Sequence, residues 1–106
     1  MRLIIIFSLI LLLYANAVYT AETQKHTYRP ENGYVPDQET AIKIAVAVWT
    51  PIYGKKQIEK ELPYKAILKN GIWYVSGSLP KNSLGDVAEA EVSKENGCII
   101  RISHGQ

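Results

Sequence analysis

Two histidines, one cysteine and ten Asp/Glu residues are the side chains of this 106-residue chain best suited to act as a nucleophile, a general base or a metal ligand. Nucleophilic catalysis needs a base within hydrogen-bond reach of the nucleophile. His26 lies in a polar N-terminal stretch, and His104 is the third residue counted back from the C-terminal end. Cys98 and His104 occupy even positions of one strand and share a face, yet six residues of extended chain separate them by about 20 Å. There is no C-x-x-C, no H-x-x-x-H and no alternating run of oxygen ligands that would cage zinc or calcium. Asp86, Glu89 and Glu91 read as a solvated strand edge. Gly71, Gly77 and Gly85 fall at a turn, a strand end and a loop, so no phosphate cradle forms. The residues therefore point away from an enzyme, and no catalytic, cofactor-binding or metal-binding residue is expected.

Side chains that recognise other proteins are a better match. Tyr and Trp carry large apolar area with a polar handle and anchor interfaces. Trp49 and Trp73 fall on core faces of their elements and are assigned to packing. Tyr74, beside Ile67 and Ile72 on the opposite sheet face, is the aromatic best placed to be exposed.

The elements that position these residues follow from period and punctuation. Pro36-Asp37-Gln38-Glu39-Thr40 opens a helix, with Asp37 as cap and Glu39 at the positive end of the dipole. The spacing of Ala41, Ile42, Ile44, Ala45, Val48 and Trp49 predicts a wide-faced core helix over 38–49, bent at Thr50-Pro51. Lys55 to Leu62 reads as a short second helix, with Ile58 and Leu62 inward and Glu61 among the solvated charges; Pro63 ends it. From Tyr64 the period is two. Asn70-Gly71 marks a two-residue hairpin turn that pairs Leu68 with Trp73 and Ala66 with Val75. A second hairpin, with a three-residue turn at Glu95-Asn96-Gly97, sets Val92 opposite Ile100, Ala90 opposite Ile102 and Glu91 opposite Arg101. That register turns Ala88, Ala90, Val92, Cys98, Ile100 and Ile102 inward and Glu89, Glu91, Arg101 and Ser103 outward. Cys98 is thus expected to be an inert core residue. The fold class is α+β: a long N-terminal helix and a short second helix packed on a four-stranded antiparallel sheet.

The N-terminus carries Arg2, an apolar run from Leu3 to Leu13 and the triplet Ala15-Asn16-Ala17. Charge, apolar core and small-residue site in that order describe a signal peptide over 1–17, and the run is too short to span a bilayer. Residues 18–32 read as a flexible polar leader and 33–106 as the folded domain. A cleaved, exported, periplasmic protein is expected, with no membrane contact afterwards. Its single cysteine forbids an internal disulfide. Twelve Lys and Arg stand against ten Asp and Glu, interspersed, so no nucleic-acid partner is indicated.

Three stretches in order carry a resemblance: Gly33-Tyr34-Val35-Pro36-Asp37, Thr40-Ala41-Ile42 and Pro51-Ile52-Tyr53-Gly54; then Asn70 to Pro80; then Ala88 to Lys94 and Gly97 to Gly105. Together they resemble the NTF2 fold immunity proteins of bacterial polymorphic toxin systems. The resemblance covers residues 33–106 and implies a small NTF2-like or cystatin-like fold that binds and neutralises a cognate toxin, as monomer or homodimer, in competition between bacteria. The interface is expected on the sheet face opposite the core helix: Tyr74, Ile67, Glu91 and Arg101, with His104 nearby. The same order of elements also looks like PepSY-type modules, which would make the chain an exported peptidase inhibitor or regulator. An envelope accessory protein is the third reading.

Overall fold

A computed structural model describes residues 26–105; the signal peptide expected over 1–17 lies outside the described residues. The first helix, α1, spans Gln38–Tyr53, and the second, α2, spans Lys55–Glu59. Four strands follow, β1 (Lys65–Lys69), β2 (Ile72–Ser76), β3 (Ala88–Ser93) and β4 (Ile99–His104). They form one antiparallel meander in the order β1-β2-β3-β4, with α1 laid across one face. This is the α+β arrangement expected from the sequence.

Asp37 starts α1 as its cap: its Oδ1 accepts the Thr40 amide at 2.8 Å, and that bond holds its carboxyl below the usual range. The helix does not stop at Trp49 but runs through Pro51 to Tyr53. A proline near the C-terminal end removes only one amide. The Thr50 hydroxyl donates to the Val46 carbonyl at 2.7 Å, and the Gly54 amide closes the last turn on Thr50 at 2.9 Å. Ala41, Ala45 and Trp49, spaced by four, bury one stripe completely against Ala66, Trp73, Val75, Ala88, Ala90 and Val92 of the sheet. Both indoles are core residues with satisfied N–H groups: Trp49 donates to the Glu89 carbonyl at 3.1 Å and Trp73 to the Val35 carbonyl at 2.8 Å.

Helix α2 is shorter than expected. It ends at Glu59, and the chain turns through Lys60 and Glu61, so the helical phase breaks. Leu62, four residues after buried Ile58, is left exposed, and Glu61 takes the inward position with 2 % of its surface accessible. This corrects the assignment of Glu61 to the solvated face.

The first hairpin has the expected register, Ala66 with Val75 and Leu68 with Trp73. The second departs from it near the turn. Ala90 faces Ile102 and Glu91 faces Arg101 as expected, but Val92 faces Ile99, and a bulge beside Ile100 absorbs the extra residue. The loop closes on Ser93, whose amide donates to Cys98 and whose carbonyl accepts from Gly97, both at 2.9 Å. Lys94 cannot close it. Its amide donates to the Gly71 carbonyl at 2.9 Å, and its carbonyl accepts the Val35 amide at 3.0 Å. Cys98 and Ile100 are therefore exposed, not core residues.

That second use of Lys94 belongs to a short strap. Tyr34 and Val35 donate their amides to the carbonyls of Glu95 and Lys94, each at 3.0 Å, tying residues 34–35 to the β3–β4 turn. Gly33 makes this approach possible: its φ is +83°, and a Cβ there would collide with the Lys94 carbonyl.

Candidate interaction surface

Antiparallel pairing puts alternate residues on alternate faces, so the register of the sheet decides which side chains meet. Ile67 faces Tyr74, Tyr74 faces Glu91, and Glu91 faces Arg101. Four of the five residues singled out from the sequence thus form one row across all four strands, on the face opposite α1. At about 4.8 Å between strands the row is about 14 Å wide. Ile67 is 67 % exposed and Tyr74 40 %, which leaves an apolar half beside a charged half.

The charged half is a fixed lattice. The Arg101 guanidinium donates to Glu91, to Glu89 at 2.9 Å and to the Ser103 hydroxyl at 2.7 Å. Hydrogen bonds to Glu91, and then to Glu89, push the Arg101 pKa above its ordinary value. Exposed ion pairs of this kind add little stability, but a guanidinium held by three partners has its side-chain freedom already spent. Tyr and a pre-ordered Arg on one exposed row are the residue types that dominate binding energy at interfaces.

His104 does not join them. It pairs with Ala88 on the helix-covered face, stacks at a tilt on Tyr53 with ring centroids 5.0 Å apart, and places Nε2 2.8 Å from Glu61 Oε2. Glu61 also accepts the Ala88 amide at 2.6 Å and the Gln57 side chain at 3.1 Å, while its own carbonyl accepts the Ser78 amide at 2.7 Å. Burial pushes its carboxyl up, but the bonds from Ala88, Gln57 and His104 outweigh it and hold the pKa below the ordinary carboxylate value. Both oxygens are engaged and the residue is nearly inaccessible, so the pair is a tie between α2, β3 and β4 with no free coordination position. Helical spacing expects Leu62 to turn inward; the end of α2 at Glu59 gives that inward position to Glu61 instead.

At the other end of the sheet the strap and the two hairpin turns border an open concavity of about 770 Å³, lined by Arg29, Asn32, Gly71, Ile72 and Lys94 among others. The Lys94 ammonium there is already bonded to the Asn32 carbonyl. No cluster of three or more potential metal ligands occurs among the described residues.

The family model for the NTF2 fold immunity protein matches residues 40–106, from the first turn of α1 through β4. The chain belongs to the NTF2 fold immunity protein family. The family's description is that of immunity proteins, which names the general role the family carries. This immunity protein is also similar to the uncharacterized protein YbbC of Escherichia coli (strain K12), at 32 % identity over 73 residues. The match covers 68 % of this chain and 60 % of that relative, so the chain spans about three fifths of the relative's length. No solved structure matches the immunity protein.

Proposed function

We propose that this immunity protein protects the cell envelope: exported to the periplasm, it binds its toxin through the open sheet face and inactivates it by occlusion, without catalysis of its own. The observation that carries the mode of action is the row Ile67, Tyr74, Glu91 and Arg101, which gathers an exposed aromatic, an exposed aliphatic and a pre-ordered guanidinium on the uncovered face. The order of charge, apolar core and Ala15-Asn16-Ala17 at the N-terminus supports export.

The test begins with the toxin encoded beside the gene. Supplied in trans, the protein protects cells from that toxin and binds it with a Kd of about a nanomolar or tighter. Tyr74→Ala with Arg101→Ala weakens binding and abolishes protection while the melting curve stays in place. Fractionation finds a processed form that begins near Val18 in the periplasm. A protein that neither protects nor binds refutes the proposed function, and a full-length cytoplasmic product refutes the location.

A further inference from the structure

The sheet has two edges, and they are built differently. On β4 the bulge beside Ile100 interrupts the edge, a device that blunts strand addition. Strand β1 pairs with β2 over all five residues without a bulge. It also overhangs the core, because Ile67 on the open face is 67 % exposed and Leu68 on the helix side 42 % exposed.

The backbone parity of β1 follows from its turn. A two-residue turn makes Lys69 and Ile72 a hydrogen-bonded pair, and alternation makes Ile67–Tyr74 another. Leu68 therefore directs its N–H and C=O away from β2, towards the free edge. Outside the ladder, no backbone hydrogen bond among the described residues uses Lys65–Lys69.

The side chains of this edge favour one kind of occupant. Lys65 and Lys69 flank Ile67 on the open face, and neither stands in an ion pair among the described residues. A second copy is disfavoured, since antiparallel pairing of two β1 strands centred on Ile67 sets Lys65 of each against Lys69 of the other. The open face by itself is also too small for a stable complex, so an interface must extend past it onto an edge. The open face measures about 14 by 17 Å, well under the roughly 800 Å² per partner that a stable complex buries.

We infer that β1 takes an extended segment of the toxin as a fifth, edge-added strand, with an apolar residue opposite Ile67 and carboxylates two positions to either side, opposite Lys65 and Lys69. The inference rests on the immunity reading and deepens it. The row from Arg101 to Ile67 then continues onto the toxin, so face and edge form one interface. Main-chain bonds to Leu68 supply affinity, and the two lysines select for acidic flanks.

The experiment titrates the protein with the toxin domain encoded beside it, by calorimetry, and follows the Leu68 amide by hydrogen exchange. Lys65→Glu with Lys69→Glu is expected to weaken binding at least about 100-fold through charge reversal at the interface. Leu68→Pro removes an amide that the β1–β2 ladder does not use and is expected to weaken binding at least about 30-fold. In the wild-type complex the Leu68 amide becomes protected. If Leu68→Pro fails to fold, the lysine pair and the amide protection decide. Retention of affinity within threefold by the lysine variant, with the Leu68 amide still exchanging freely, overturns the edge while leaving the immunity reading intact. A wild-type homodimer that the Lys65→Glu/Lys69→Glu protein changes also overturns it, because the edge then belongs to a second copy. A toxin that does not bind the wild-type protein overturns both.

Discussion

Replacing Glu61 by alanine is expected to remove about 2–4 kcal/mol of folding stability, the cost of taking the acceptor away from one buried and two partly buried hydrogen-bond partners. The structure shows where that cost arises. The Ala88 amide, on a residue with no exposed surface, loses its acceptor at 2.6 Å, and a buried donor left unsatisfied costs about 1–3 kcal/mol by itself. Gln57 and His104 lose their acceptor as well. A domain of this size holds only about 4–12 kcal/mol in total, so the variant loses a large fraction of its stability. Glu61→Gln keeps an oxygen for Ala88 and is expected to cost about 1–2 kcal/mol. Urea denaturation followed by the fluorescence of Trp49 and Trp73 measures both. The pH dependence follows from the direction of the shift. A carboxyl whose folded pKa is depressed contributes stability that is present above its ordinary value of 4.5 and disappears as pH falls through the lower folded value. The wild-type protein therefore loses stability below about pH 4.5, and Glu61→Gln shows a shallower acid limb. A loss below about 1 kcal/mol in Glu61→Ala, or acid limbs of equal slope, would refute the assignment of Glu61 as the tie between α2, β3 and β4.

Three further outcomes test other parts of the fold. Gly77→Ala places a Cβ 2.6 Å from Glu61 Oε1 and is expected to cost about 1–3 kcal/mol, a penalty that shrinks when Glu61 is also alanine; thermal melts of the double-mutant cycle read the coupling. Gly33→Ala combines a positive φ with a clash on the Lys94 carbonyl, and is expected to speed amide exchange at Tyr34 and Val35 while leaving exchange in β2 unchanged. The Cys98 thiol is expected to react fully with a maleimide in native buffer, and labelling that requires denaturant would restore it to the core.

The open-face row was legible in the sequence because strand parity and the Asn70-Gly71 turn fix which side chains share a face. Glu91 opposite Arg101 came from the same arithmetic. Cys98 and Ile100 were misplaced for a reason local counting does not contain. The strap and Gly71 occupy the Lys94 backbone, so the loop closes one residue earlier and a bulge restores the register beyond it. Glu61 was hidden because helical spacing holds only while the helix lasts, and α2 stops two residues before it. Pro51 marked a helix end that the Thr50 hydroxyl and the Gly54 amide postponed by one turn.

The two indole N–H groups report on different parts of the chain. Trp49 is bonded to the Glu89 carbonyl and senses whether α1 rests on the sheet; Trp73 is bonded to the Val35 carbonyl and senses whether the strap is closed. Releasing the strap uncovers Val35, a core residue with 1 % of its surface accessible, and takes the acceptor from the Trp73 indole, whereas the Trp49 bond to Glu89 does not involve the strap. The protein thus carries a separate optical probe for each of two contacts, one where the strap meets the sheet and one where α1 does.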